Sequence, residues 1–259
     1  MTKLSESIVN GVEERLRKIQ DNPSYFSEKA ALVERELKYE ADLHSFWIEH
    51  PDLRSKLLYL NGVLTEKEIK HLAIRGVKQI QRAWHYLNSP KFKESKIGIL
   101  GFLNPKTIEE AGSLVDPYKN HKGFREDYVD SPFPNYTPHS PLLVPSMIER
   151  LCQDIKTNDH EHPIELAAEA HLRIAGIQPF KDGNKRTARL IERRILEGYG
   201  LPTSFIPFGE REVYNGLIER ALDGILKNDI YRQTPFFDYI GGKVATALDK
   251  IIDDLDITH

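Results

Sequence analysis

The sequence predicts an all-α fold. Apolar residues recur every three or four positions through 5–20, 28–49 and 65–87, the period of amphipathic helices. Boundary residues punctuate those segments: Asn22-Pro23 separates the first two, Pro51 disfavours helix at His50, and Thr65 stands three before Glu68 as a capping-box pair. The same period returns in much of the second half, so helices are expected to dominate there too.

Taken in order, the first ninety residues read as a helical module ending near Leu87. A linker around Pro90 and an apolar stretch at 97–103 lead to a helix opening at Asn104-Pro105, where Asn caps and Pro fills the first turn. The segment from Gly123 through Tyr136-Thr137-Pro138-His139 reads as a Pro-rich hairpin. Residues 164–175 form a broad apolar stripe and central core helix, with His171 on the stripe as a hydrogen-bonded core histidine rather than a direct catalyst, the alternative for a histidine seven residues before Gln178. A helix over 186–197 is closed by Gly198 and Gly200 before Pro202. Strand-like and turn character follows at 204–210, then helices over 212–226 and 234–255.

The 259 residues suffice for one large domain or a small one beside a larger one. With 36 basic against 39 acidic side chains and a net charge of −3, no global electrostatic case for nucleic acid exists. The apolar runs are too short for a membrane span, and the first residues lack the core of a signal peptide, so a cytoplasmic protein is expected. A single cysteine, Cys152, excludes an intramolecular disulfide and reads as buried filler.

Chemistry concentrates between Ile177 and Arg189. A Pro-Phe pair, a short polar loop with one carboxylate, Gly-Asn at the turn and then an apolar-periodic segment read as a loop entering a helix N-terminus. Such a loop suits phosphate, because free backbone N–H groups and the positive end of the helix dipole face whatever binds there. Asp182 can hold a hard cation, and Arg186 and Arg189 can contact phosphate oxygens.

The order of these residues resembles the Fic family signature, H-x-F-x-[D/E]-G-N-x-R-x-x-R. Every position matches except the first, where Gln178 replaces the catalytic histidine. The resemblance implies a Fic-type helical fold with a small β-hairpin flap and an N-terminal helical regulatory module: 1–90 the module, 91–245 the core, 246–259 a helical tail. It implies ATP as substrate, Mg2+ held by Asp182, and a nucleotide site of Gly183, Asn184, Lys185, Arg186 and Arg189. An unidentified target protein would dock at the flap, with no nucleic acid or membrane partner and a homodimer left open.

Ser45-Phe46-Trp47-Ile48-Glu49-His50 resembles the inhibitory motif of the same family, [S/T]-x-x-x-E-[G/N], with His50 in the last place. There the glutamate pairs with the second signature arginine, here Arg189, and blocks the γ-phosphate site. The alternative is a surface glutamate closing an amphipathic helix; Ser24 and Glu28 fit the loose spacing as well, in a poorer setting. Tyr214 matches an aromatic position near the nucleotide base, and core packing explains it equally.

In an AMP-transferring Fic enzyme the histidine takes a proton from the target hydroxyl. Glutamine has no basic nitrogen near neutral pH, so Gln178 can position a hydroxyl but cannot activate it. Two readings follow: a protein adenylyltransferase weakened by Gln178, and a catalytically silent Fic-fold binder of a nucleotide or partner. A third, Doc-like phosphate transfer, is suggested by the string Asn184-Lys185-Arg186-Thr187-Ala188 and opposed by Arg189.

Overall fold

The computed structural model describes residues 3–54, 62–93, 98–157 and 162–257. Among them nine long helices carry the fold: α1 (Glu6–Gln20), α2 (Glu28–Glu49), α3 (Glu66–Leu87), α4 (Pro105–Val115), α5 (Val144–Thr157), α6 (Pro163–Ile177), α7 (Asn184–Gly198), α8 (Arg211–Lys227) and α9 (Ile230–Asp254). Single helical turns lie at Pro51–Arg54 and Pro90–Lys93.

Boundaries follow local chemistry. Thr65 Oγ1 accepts from Glu68 N–H at 3.3 Å while the Glu68 carboxylate accepts from Thr65 N–H at 2.7 Å, completing the capping box of α3. Asn104 Oδ1 accepts from Thr107 N–H at 3.0 Å and starts α4 with Pro105 in its first turn. Helix α2 ends at His50, and Pro51 opens a new turn, as a residue without N–H does at little cost.

The core sits around α6, which is buried along nearly its whole length and packs against α7 on one side and α5 and α9 on others. Helix α1 lies on α9, α2 reaches α3, α7 and α9, and α3 packs on α4. Buried apolar residues form one contiguous cluster from Leu4 to Ile257, with Val33, Leu37, Phe46 and Ile48 of α2 inside it.

The all-α class holds, and the small hairpin does not form: no strand occurs among the described residues, and 123–140 is irregular. Pro132, Pro134 and Pro138 offer no N–H to a ladder. Carbonyls that a partner strand would bond are met by one side chain instead, since Arg125 donates to Asp127 O at 3.0 Å and His139 O at 2.6 Å. Phe133 and Tyr136 anchor the segment by burial. The strand-like 204–210 is likewise coil followed by a 3-10 turn at Phe208–Glu210.

Candidate functional site

Helix α6 stops at Gln178, which adopts left-handed geometry (φ 49°, ψ 63°) and so turns the chain sharply into the loop. Three contacts fix that loop. Arg125 Nε donates to Gln178 O at 2.6 Å, Pro179 O accepts from Arg125 N–H at 2.8 Å, and the Asn184 carboxamide exchanges two hydrogen bonds with the backbone of Phe180 at 2.8 and 3.0 Å. Below the loop, the Phe180 ring lies against α4 at Gly112, where an added Cβ would stand 2.1 Å from the ring.

Gly183 begins α7 with φ 78°, and a Cβ there would also meet Val115 at 2.8 Å, so glycine is required by conformation and by space. No side chain caps this N-terminus, leaving the first amides of α7 without intrahelical acceptors. Buried Asn120 steadies the turn from outside, donating to Asp182 O at 2.8 Å and accepting from Asp182 N–H at 3.3 Å.

Cations converge here. Arg186 Nη2 donates to Asp182 Oδ1 at 3.1 Å. Arg189 donates from Nε to Ser45 Oγ at 2.9 Å, from Nη2 to Ser45 O and Glu49 Oε1 at 3.0 Å each, and from Nη1 to Tyr214 OH at 3.0 Å. Lys185 Nζ lies 3.2 Å from Glu49 Oε2 and donates to Asn215 Oδ1 at 2.9 Å. Glu49 thus spans two cations, one per oxygen. Burial opposes its charge, yet Lys185, Arg189 and Arg186 prevail and hold the carboxyl down at about 2. Burial also works against Asp182 as an anion, and Lys119 and Arg186 outweigh it to keep that carboxyl low.

The spacing-derived pair Ser45 and Glu49 therefore meets Arg189 across 140 and more residues of sequence. Gln178, Asp182, Asn184, Lys185 and Glu49 line one cavity of about 370 Å3 beside Val129 and Pro132 of the irregular segment. Gln178 is 2% exposed, and its Nε2 has no hydrogen-bond partner among the described residues. His171 is a core residue, as expected: its ring contacts Glu192 through Nδ1 and the Tyr214 hydroxyl through Nε2 at 2.7 Å. Tyr214 is fully buried and braces Arg189 from behind.

Sequence reasoning missed Lys119, Asn120 and Arg125 as parts of the site. Tyr118-Lys119-Asn120-His121 looks like any polar turn, and only the tertiary fold carries it to Asp182.

The model of the Fic/DOC family matches residues 100–196. A protein adenylyltransferase Fic from Nematostella vectensis is 28% identical over 211 residues, 80% of this chain but 40% of that protein. The Drosophila melanogaster protein of the same name is 34% identical over 88 residues, 34% of this chain and 16% of its own length. The chain thus spans less than half of these relatives. Among solved structures, residues 134–508 of Fic-1 from C. elegans superpose with TM-score 0.69 at 21% identity, covering 96% of this chain and 71% of that one. A Fic domain containing signaling protein from Bacteroides thetaiotaomicron gives TM-score 0.73 at 18% identity, over 96% and 99%. At such identities the structural likeness is one of fold.

Proposed function

From the premise that this chain is a Fic family protein, its Fic/DOC domain over residues 100–196, we propose that it transfers AMP from ATP to a hydroxyl side chain of a target protein, slowly because Gln178 stands at the base position. The observation that carries this reading is the uncapped N-terminus of α7, where Lys185, Arg186 and Arg189 converge and Glu49 occupies two of the three cations. A carboxylate held between cations at a helix N-terminus marks a place built for anions, which the triphosphate would take.

Each residue then has a task. The first amides of α7, with Arg186, bind phosphate oxygens, and Arg189 and Lys185 receive the terminal phosphate once Glu49 withdraws. Asp182 suits Mg2+, since that ion is commonly held by one or two carboxylates with the remainder from phosphates and water; no cluster of three His, Cys, Asp or Glu side chains occurs among the described residues. When bound, Mg2+ neutralises phosphate charge. Gln178 orients the hydroxyl that attacks the α-phosphorus through its carboxamide oxygen and leaves the hydroxyl proton to solvent, while the bond from the α-phosphorus to the bridging oxygen breaks and pyrophosphate departs. The segment 123–140 presents the target over the cavity, and the reaction takes place in the cytoplasm.

The silent-binder reading is favoured by Gln178 alone. The two readings part in one experiment. Gln178→His combined with Glu49→Gly is incubated with Mg2+ and ATP labelled at the α or the γ position. Label from α-ATP on the chain or on a lysate protein, raised on the order of 10²-fold or more over Glu49→Gly alone, is expected from restored base catalysis. Label from γ-ATP would instead indicate phosphate transfer. Binding of ATP with no label from either would establish the silent binder.

A further inference from the structure

The fold uses one of the two Asp182 carboxylate oxygens for itself. Oδ1 accepts from Gly183 N–H at 2.5 Å and from Arg186 Nη2 at 3.1 Å, both within the same turn. Oδ2 is left for a partner from elsewhere, and that partner is the Lys119 ammonium, in direct contact. Lys119 therefore stands where a cation on Oδ2 would stand.

Its backbone is fixed. Lys119 N–H donates to Asp116 Oδ1 at 3.1 Å, and the next residue is the buried Asn120, whose carboxamide donates to Gly112 O at 2.9 Å and Asp182 O at 2.8 Å. Its side chain is 58% exposed, so the four-carbon stem can swing while its root stays beside the turn. Asp116 is a poor alternative home, because it already takes the Lys119 N–H and lies 3.7 Å from Arg186 Nη2.

We propose that Lys119 is a phosphate-binding residue of the nucleotide site, resting on the one Asp182 oxygen that the turn leaves for a divalent cation, and that its ammonium would move to the phosphates when such a cation is bound. This rests on the nucleotide reading above. A divalent cation on Oδ2 would repel the Lys119 ammonium at contact distance, and the phosphates of a nucleotide beside Asp182 would then offer it several negative oxygens at once. Metal-free ATP would be met by Lys119 directly. An exposed ion pair is weak, so the competition with metal is light.

The test uses Glu49→Gly protein, whose anion site is open, and measures ATP binding with and without Mg2+, and Mg2+ binding without ATP, by calorimetry for Lys119, Lys119→Met and Lys119→Arg. In Lys119→Met, metal-free ATP should bind about 3- to 10-fold more weakly. The Mg2+ concentration that half-saturates the nucleotide-free Glu49→Gly protein, where Lys119 rests on Oδ2, should at the same time fall about 2- to 5-fold in Lys119→Met. Lys119→Arg should restore metal-free binding. Unchanged metal-free affinity in Lys119→Met overturns the phosphate role, and an unchanged or higher half-saturating Mg2+ concentration overturns the competition. Failure of the Glu49→Gly protein itself to bind ATP overturns the nucleotide reading, and this proposal with it.

Discussion

At Glu49, burial and charge pull in opposite directions, and the outcome makes its bridges to Lys185 and Arg189 sensitive to acid. The carboxyl is held at about 2 against an ordinary value of 4.5, so it binds fewer protons folded than unfolded. Its contribution is complete above pH 4.5 and is lost as pH falls toward 2. Between those values the unmodified chain should lose stability more steeply than Glu49→Gln, as urea midpoints at pH 7, 4 and 3 would register; equal slopes would mean that Lys185 and Arg189 do not hold the carboxylate. Spacing puts Ser45 and Glu49 on one helix face, while their partner Arg189 was indicated only by the resemblance to the inhibitory motif. The second bridge, from Glu49 to Lys185, and the contact between Lys119 and Asp182 join positions 136 and 63 apart. No local pattern encodes them.

Helices were legible because their signals are local: a period of 3.6, an Asn or Thr cap, a proline in the first turn. The segment 123–140 was not, since a strand exists only through its partner, and here Arg125 and the buried Phe133 and Tyr136 do that work. The contact between α4 and the signature loop is equally invisible in sequence, although it is tight. Gly112→Ala would drive a methyl into the Phe180 ring at 2.1 Å. Destabilisation of about 1–3 kcal/mol is expected, with weaker ATP binding in the Glu49→Gly background because the loop above Phe180 must shift. Thermal unfolding and calorimetry on the same variant check both; an unaltered affinity would show that the loop holds its shape without α4.

Across the whole molecule, the helix that bears Glu49 is core rather than appendage. Phe46 and Ile48 are buried within four residues of Glu49, while Arg193 joins α7 to Asp42 of α2 at 3.1 Å and Arg211 Nε donates to Ile48 O at 2.8 Å. The N-terminal end is pinned too, Ser5 N–H donating to Asp238 Oδ1 at 2.8 Å. Opening the site should therefore involve the last turn of α2 and the Glu49 side chain, with the helix body staying in place. Native-state hydrogen exchange offers the measure: amides of 33–46 should exchange with free energies close to those of α7, near global unfolding. Exchange of those amides through a much cheaper opening would make 1–90 a detachable unit.

The bend at Gln178 has one more consequence. Its left-handed backbone is held by Arg125 and the neighbouring loop contacts through main-chain atoms, and the conformational penalty, about 1–2 kcal/mol, is similar for histidine and glutamine. Geometry and reactivity are thus written in different atoms at this position: the main chain sets where the side chain stands, and the side chain alone sets whether a proton acceptor is there. On the adenylyltransferase reading, exchanging glutamine for histidine would then supply the proton acceptor on an unaltered scaffold.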